Sequence, residues 1–266
     1  MKHNKKITLM LSIAGSDNTS GAGVQADIKT CLAMNAYCLN CVTAVTSQDS
    51  KKVYKLFKIP DDLVVSQIST IINEYRIDCI KIGMISNLGQ AKKIHALLST
   101  FKKKIPIVID PIYKSTTNKI FNNLTTYLSI YKTFSKLKPI FTPNLFEFKK
   151  LIKTSHIENH KMKSFLDLFL QEYRSMVVVT NCNETDNNSD DYFITEDGKI
   201  GIHSLKSIYS KNTHGTGCTF STSLAINLAR GFNLSQSILR SKKLMIKFIK
   251  KSPNFNLSYG PLGHLL

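Results

Sequence analysis

Apolar runs of strand length alternate along this chain with amphipathic segments of helix length. ITLMLSIAG (7–15) leads into GVQADIKTCLAMNA (23–36), whose spacing predicts a helix with Val24, Ile28, Cys31 and Leu32 on one face. CVTAVTSQ, DDLVVSQISTIINEY, CIKIGMI, NLGQAKKIHALL and IPIVIDPI then repeat the alternation of strand and helix. The second half continues with PIFTPN, LFEFKKLI, a helix near KMKSFLDLFLQEY, the strand SMVVVTN, and two closing helices from Gly217 and Leu234. Near-continuous Ile/Val runs suit strands buried on both faces, so the pattern predicts a mostly parallel sheet covered by helices. In DYFITEDGKIGIHSL, Asp197-Gly198 between alternating runs predicts a hairpin, a small antiparallel addition late in the sheet. The polar NETDNNSDD (183–191) reads as an exposed loop, and no stretch has the composition of an interdomain linker. One α/β domain over residues 1–266 is expected.

Composition changes this picture little. The 266 residues are 42% hydrophobic and 20% charged, and no apolar run is long enough to span a bilayer. MKHNKKITLMLSIAGSD imitates a secretory signal, but a first buried strand running into a glycine loop is the preferred reading, which places the protein in the cytoplasm. Six cysteines are too few and too scattered for a disulfide framework, and Cys38-x-x-Cys41 lies in a β-like run with no second pair to make a zinc site. The net charge of +18 raises nucleic acid or an anionic membrane as partners. The lysines are spread over the whole chain with an excess of Ile and Asn, as in AT-rich genomes, so neither partner is expected.

Ligands of such sheets gather at the carboxyl ends of the strands, which directs attention to the segments just after the apolar runs. After the first strand, AGSDNTSGAGVQAD offers Gly15, Gly21 and Gly23 ahead of a helix N-terminus; it lacks the Gly-Lys-Ser/Thr ending of a P-loop. In SKNTHGTGCTFSTS, Gly215, Thr216 and Gly217 lead into a helix carrying Cys218 and Thr219 in its first turn. Unpaired N–H groups there form an anion hole, and a helix N-terminus favours a thiolate, so Cys218 reads as nucleophile, proton acceptor or a small packing residue. In TPNLFEFKKL, Asn144 and Glu147 are three apart at a helix start, positions that suit either a shared site holding hydrated Mg²⁺ or a capping box. Together these pieces point to phosphoryl transfer, where positioning and charge stabilisation carry most of the catalysis.

IAGSDNTSGAGVQADIKT, VTAVTSQ, KIGM, DP, TPNLFE, KNTHGTGCT and a terminal GPLGH resemble, in order and spacing, the hydroxymethylpyrimidine kinase/phosphomethylpyrimidine kinases of the thiamine pathway, within the ribokinase-like superfamily. The resemblance runs from Ile7 to His264. It implies a three-layer α/β/α fold, commonly a homodimer, and two successive ATP-dependent phosphorylations: of 4-amino-5-hydroxymethyl-2-methylpyrimidine and then of its monophosphate. It implies that Gln48 hydrogen-bonds the aminopyrimidine edge, with Ala22, Met84 and Gly15 completing the bed. Asp27 counts with the substrate side, where with Asp17 it orders the glycine loop or caps a helix. Asn144, Thr180, Thr213 and His214 fall on the nucleotide side, and Asp110 with Glu147 on the Mg²⁺ side. Gly215, Thr216, Gly217 and Cys218 form the anion hole, Cys218 standing where sugar kinases carry an aspartate base. A pyridoxal or pyridoxine kinase, or a degenerate protein that binds without transferring phosphate, are the alternatives.

Two departures stand out. Where the family reads Lys-Gly-Gly-His after the VVV strand, this chain has Thr180-Asn181-Cys182-Asn183, with Lys114, Lys119 or Lys211 as possible replacements for the lysine. After Asp110-Pro111, IYKSTTNKIF replaces a segment containing a glycine, which puts the loop over the substrate in doubt.

Overall fold

A computed structural model describes residues 7–101, 104–157, 161–182 and 188–264. The strands are β1 (Thr8–Asp17), β2 (Ala36–Gln48), β3 (Val53–Lys58), β4 (Cys79–Ile82), β5 (Ile107–Ile109), β6 (Ile140–Phe141), β7 (Met176–Val179), β8 (Asn188–Ile194) and β9 (Ile200–Lys206). The helices are α1 (Gly23–Ala33), α2 (Asp61–Glu74), α3 (Leu88–Leu98), α4 (Leu124–Ser135), α5 (Leu145–Leu151), α6 (Met162–Tyr173), α7 (Thr216–Ala229) and α8 (Leu234–Lys250). They build one nine-stranded sheet in the order β3-β2-β1-β4-β5-β6-β7-β8-β9. The β2-to-β7 block is parallel; β3 at one edge and the β8–β9 hairpin at the other are antiparallel.

Alternation along the strands sorts the core into two layers. Leu11, Ile13, Ile80, Ile82, Ile109 and Phe141 pack against α2, α3, α4 and α6, whereas Met10, Cys79, Val108, Ile140 and Val178 face α7, α8 and the end of α1. Cys38 and Cys41, an odd number of residues apart on β2, join opposite layers and cannot converge on one ion; all six cysteines are free. No helix among the described residues is long and apolar enough to cross a membrane.

The structure departs from the sequence pattern in four places. On α1 the buried face carries Val24, Asp27, Thr30 and Cys31, while Ile28 is 41% and Leu32 74% exposed. The apolar stripe and the buried stripe differ because α1 covers polar groups, described next. Helix α4, absent from the pattern reading, buries Tyr127, Ile130, Tyr131 and Phe134 at helical spacing. Strand β3 reads as a polar edge but pairs along β2. Residues 188–191 of the supposed loop belong to β8, and Asp191 is buried against Lys242; residues 183–187 lie outside the described set.

The inner end of α1 is fastened by charge. Lys81 in β4 lies 3.0 Å from both oxygens of Asp27, each side chain being 0% exposed, and Ser12 (2.5 Å) and Thr222 (2.8 Å) donate to the same carboxylate. Burial works against the charged lysine, but Asp27 outweighs it and raises the ammonium above its ordinary range. One carboxylate thus joins β1, β4, α1 and α7. Lys81→Met leaves Asp27 buried and unpaired and is expected to destabilise the fold by about 3–5 kcal/mol in urea titration. Lys81→Met with Asp27→Leu, which removes both charges, is expected to lie closer to wild type.

Candidate active site

The carboxyl ends of the parallel strands open into a cleft of about 570 Å³. Gly15, Ala22, Gln48 and Met84 line one end, Asn144 and Thr180 line the other, and Asp110, Glu147 and the residues 213–218 lie between. Asp27 does not line it: this carboxylate is spent on Lys81, Ser12 and Thr222 beneath the floor, so its place is structural and the substrate-side assignment is corrected.

The glycine loop is organised by Asp17. Its carboxylate accepts from the N–H groups of Thr19, Gly21 and Ala22 and contacts His214 Nε2 at 2.8 Å. Burial alone would raise this carboxyl, but His214 and the backbone donors hold it well below the usual range. On the other side of the ring, His214 Nδ1 lies 3.3 Å from Thr116 Oγ1, so one imidazole joins the glycine loop to the loop after β5. In that loop Lys114 and Ile120 pair across a tight turn with Asn118 at φ 66°, a backbone conformation Asn tolerates. The glycine missing after Pro111 is therefore not needed for this loop to turn back.

At the Gly15 end, the main chain of Gln48 exchanges hydrogen bonds with the Asn18 side chain, and Gln48 Nε2 donates to Thr46 Oγ1. The amide oxygen has no hydrogen-bond partner among the described residues. Thr43 Oγ1 donates to the Met84 carbonyl at 2.6 Å, and a Cβ on Gly15 would sit 2.4 Å from Met84 Cε. Only a glycine leaves the thioether flat against that wall.

Helix α7 starts without a side-chain cap: Gly215 holds φ +88°, and a Cβ there would meet the Gly21 carbonyl oxygen at 1.9 Å. The N–H groups of Gly215, Gly217 and Cys218 have no acceptor among the described residues, whereas that of Thr216 is spent on Thr213 O at 3.3 Å. The anion hole is thus narrower than the four-residue reading. Below it the terminal GPLGH segment clasps the helix start, Gly260 O accepting from His214 N–H and His264 Nε2 lying 2.9 Å from Thr219 Oγ1. Cys218 departs from expectation: burial pushes its thiol up to about 12, and the charge of Lys81 does not offset that. The side chain is a neutral thiol in the free site, not a favoured thiolate.

Asn144 and Glu147 bear out the capping reading, forming a complete capping box for α5, and also border the cleft. Glu147 Oε1 also accepts from the Tyr113 N–H at 3.2 Å. Burial, then the charge of Asp110, pushes the Glu147 carboxyl up to about 8; burial also raises Asp110, to about 6, against the pull of Lys81. A Cβ on Gly217 would lie 3.2 Å from Asp110 Oδ2, so this carboxylate abuts the anion hole. Among the described residues no three His, Cys, Asp or Glu side chains cluster as a metal cage. A hard cation held here would take these carboxylates and complete its shell with water and ligand oxygens.

Of the three lysines considered as substitutes at position 180, Lys114 lines the cleft; Lys119 and Lys211 do not. Sequence reasoning passed over the Thr116–His214–Asp17 chain, which no local spacing encodes. It also passed over the α8 face Lys242, Met245, Ile246 and Ile249, whose i, i+3, i+4, i+7 spacing looks like any core-facing stripe.

A family model described as phosphomethylpyrimidine kinase matches residues 17–263. The chloroplastic thiamine biosynthetic bifunctional enzyme of Arabidopsis thaliana is 30% identical over 264 residues, covering 97% of this chain and 50% of that protein. This chain therefore spans about half the length of that relative. A hydroxymethylpyrimidine/phosphomethylpyrimidine kinase of Staphylococcus aureus is 29% identical over 262 residues, 97% of this chain and 94% of that protein. Among solved structures, an ADP complex of Bacillus subtilis pyridoxal kinase superposes with a TM-score of 0.87 at 26% identity, covering 97% of this chain and 98% of the other. A phosphomethylpyrimidine kinase from Clostridium difficile 630 gives 0.77 at 25%, covering 91% and 99%. The fold is ribokinase-like.

The two raised carboxyls set a testable stability cost. Each binds protons more tightly folded than unfolded, so each withdraws stability as pH rises from its unfolded value through its folded one. Between pH 6.5 and 8 the slope expected from Glu147 is about 1 kcal/mol lost per pH unit. Asp110→Asn, by removing the neighbouring charge, is expected to flatten it in urea titrations of the ligand-free protein.

Proposed function

From the premise that this chain belongs to the phosphomethylpyrimidine kinase family, we propose that it phosphorylates 4-amino-5-hydroxymethyl-2-methylpyrimidine with ATP, and then the resulting monophosphate to the diphosphate. The observation that carries this is the uncapped start of α7, with free N–H groups at Gly215, Gly217 and Cys218, set between an amide-bearing pocket at Gln48 and the Asn144–Thr180 wall.

On this reading the pyrimidine lies on Gly15, Ala22 and Met84 with its amino edge at Gln48, whose amide oxygen can accept a hydrogen bond. The nucleotide phosphates run past Asn144, Thr180, Thr213 and His214 towards the anion hole, whose N–H groups and helix dipole stabilise charge on the group in transit. Asp110 and Glu147 fit a divalent ion because they are two buried, mutually repelling carboxyls at that point; Mg²⁺ held there would neutralise phosphate charge. Cys218, in its minor thiolate form, is the proposed acceptor of the substrate hydroxyl proton. His214 and Thr116 hold the loop after β5 over the reacting groups and keep water out.

The close superposition on a pyridoxal kinase keeps pyridoxal as the competing substrate, to be compared directly. The homodimer reading is supported by the edge of the sheet, where Val45 and Phe57 stand opposite each other and Phe57 is 66% exposed.

Coupled measurement of ADP formation with Mg-ATP is expected to show turnover on hydroxymethylpyrimidine and then on its monophosphate, and a lower kcat/KM on pyridoxal. A ligand-dependent rise in Tm with no ADP formed would instead make the protein a binder. If Cys218 takes the proton, the thiolate fraction, and with it kcat, rises about tenfold per pH unit below the thiol value. Cys218→Ala then lowers kcat far more than it raises KM and abolishes the rise. A flat wild-type profile would leave the anion hole alone carrying the step.

A further inference from the structure

The GPLGH segment (260–264) takes no part in the cleft wall, yet it touches the start of α7 on both sides of the anion hole. Ahead of the hole, Gly260 O accepts from the N–H of His214, the residue before Gly215, at 3.1 Å. Beyond it, His264 Nε2 lies 2.9 Å from Oγ1 of Thr219, the residue after Cys218. Thr219 is fully buried and, like His264, does not line the cleft.

The sense of this last bond follows from its surroundings. His264 Nδ1 lies 3.2 Å from the Leu262 carbonyl oxygen, which only accepts, so Nδ1 carries the ring proton. Nε2 then offers a lone pair, and the Thr219 hydroxyl donates to it. Burial, then the charge of Lys29, pushes the imidazole down to about 4, so the ring is neutral and the bond keeps this sense at neutral pH. The ring rests against Phe248 of α8, centroids 4.8 Å apart, and the Gly263 N–H donates to the Phe248 carbonyl. A Cβ on Gly263 would stand 2.1 Å from the Lys251 carbonyl oxygen, so the segment is fitted closely to the end of α8.

A helix start usually owes its fixed geometry to a capping side chain, and α7 has none among the described residues. Stabilising a charged transition state needs N–H groups that do not reorganise as the charge develops. We propose that His264, acting through Thr219, is a positioning residue that holds the N–H groups of Gly215, Gly217 and Cys218 in place for phosphoryl transfer. This rests on the kinase reading above and adds to it a residue outside the cleft. The end of α8 is the support against which the hole is held.

The test is steady-state kinetics of the full chain with Mg-ATP and hydroxymethylpyrimidine, each variant first shown to be folded by urea titration. Thr219→Val keeps the side-chain shape and removes only the hydroxyl. Thr219→Val and His264→Ala are each expected to lower kcat about tenfold and to leave the pyrimidine KM within about twofold, since the donors are displaced but not deleted. Combining the two is expected to cost no more than either alone, because both break one bond. His264→Gln, whose amide oxygen reaches the Thr219 hydroxyl, is expected to hold kcat within about threefold of wild type. Should His264→Ala fail to fold, Thr219→Val and His264→Gln decide the comparison. A clasp that serves folding alone lowers the urea midpoint and leaves kcat of the folded variants unchanged; that result overturns the assignment. A rise in pyrimidine KM that matches the fall in kcat, additive losses in the double variant, or no recovery with His264→Gln overturns it too. Absence of turnover in wild type removes the kinase reading and the assignment with it, whereas an active wild type with unaltered variants removes the assignment alone.

Discussion

The cleft depends on the Asp27 carboxylate under its floor. Strands β1 and β4, the first turns of α1 and the middle of α7 are separate in sequence, and Ser12, Lys81 and Thr222 bring them to one buried charge. Removing two charges from water is costly, and only complete pairing with added hydrogen bonds offsets it. The arrangement therefore tolerates little displacement of either helix. Two helix N-termini are held facing one space, and the glycines at 23 and 215 let the loops between them close to backbone distance.

Above that floor the fold leaves charge unbalanced. Asp110 and Glu147 are buried near each other and both are pushed towards the protonated form, while three N–H groups at the start of α7 lack partners among the described residues. Each feature lowers the stability of the empty protein. Each is relieved by a ligand that brings a cation between the carboxylates and negative oxygens to the N–H groups. A site built this way is most stable when filled, which is the condition for preorganised stabilisation of a charged transition state.

The Cys218 side chain shows where local chemistry misleads. A thiol at a helix N-terminus reads as an activated thiolate when the surroundings are taken as water-like. Full burial reverses that, because desolvation of the thiolate exceeds what Lys81 returns. Asn144 and Glu147 show the converse: capping and lining a cleft are compatible, because the carboxylate oxygens that accept the cap bonds still border the cavity.

Much was legible in the sequence alone. Runs of Ile and Val alternating with amphipathic segments determined a parallel sheet between helix layers, since strand and helix periods differ and each must bury its apolar side. Asp197-Gly198 determined the hairpin, and the glycine-rich segments determined where backbone approaches backbone, because no other residue fits there. Tertiary structure alone decided which polar residues serve the cleft and which serve the frame. Asp27 went to the frame, Lys242 and Thr116 came to the cleft, and α1 turned a face other than its most apolar one inward. Those outcomes depend on partners 54, 51 and 98 residues away, Lys81 for Asp27, Asp191 for Lys242 and His214 for Thr116, which pattern along the chain does not record.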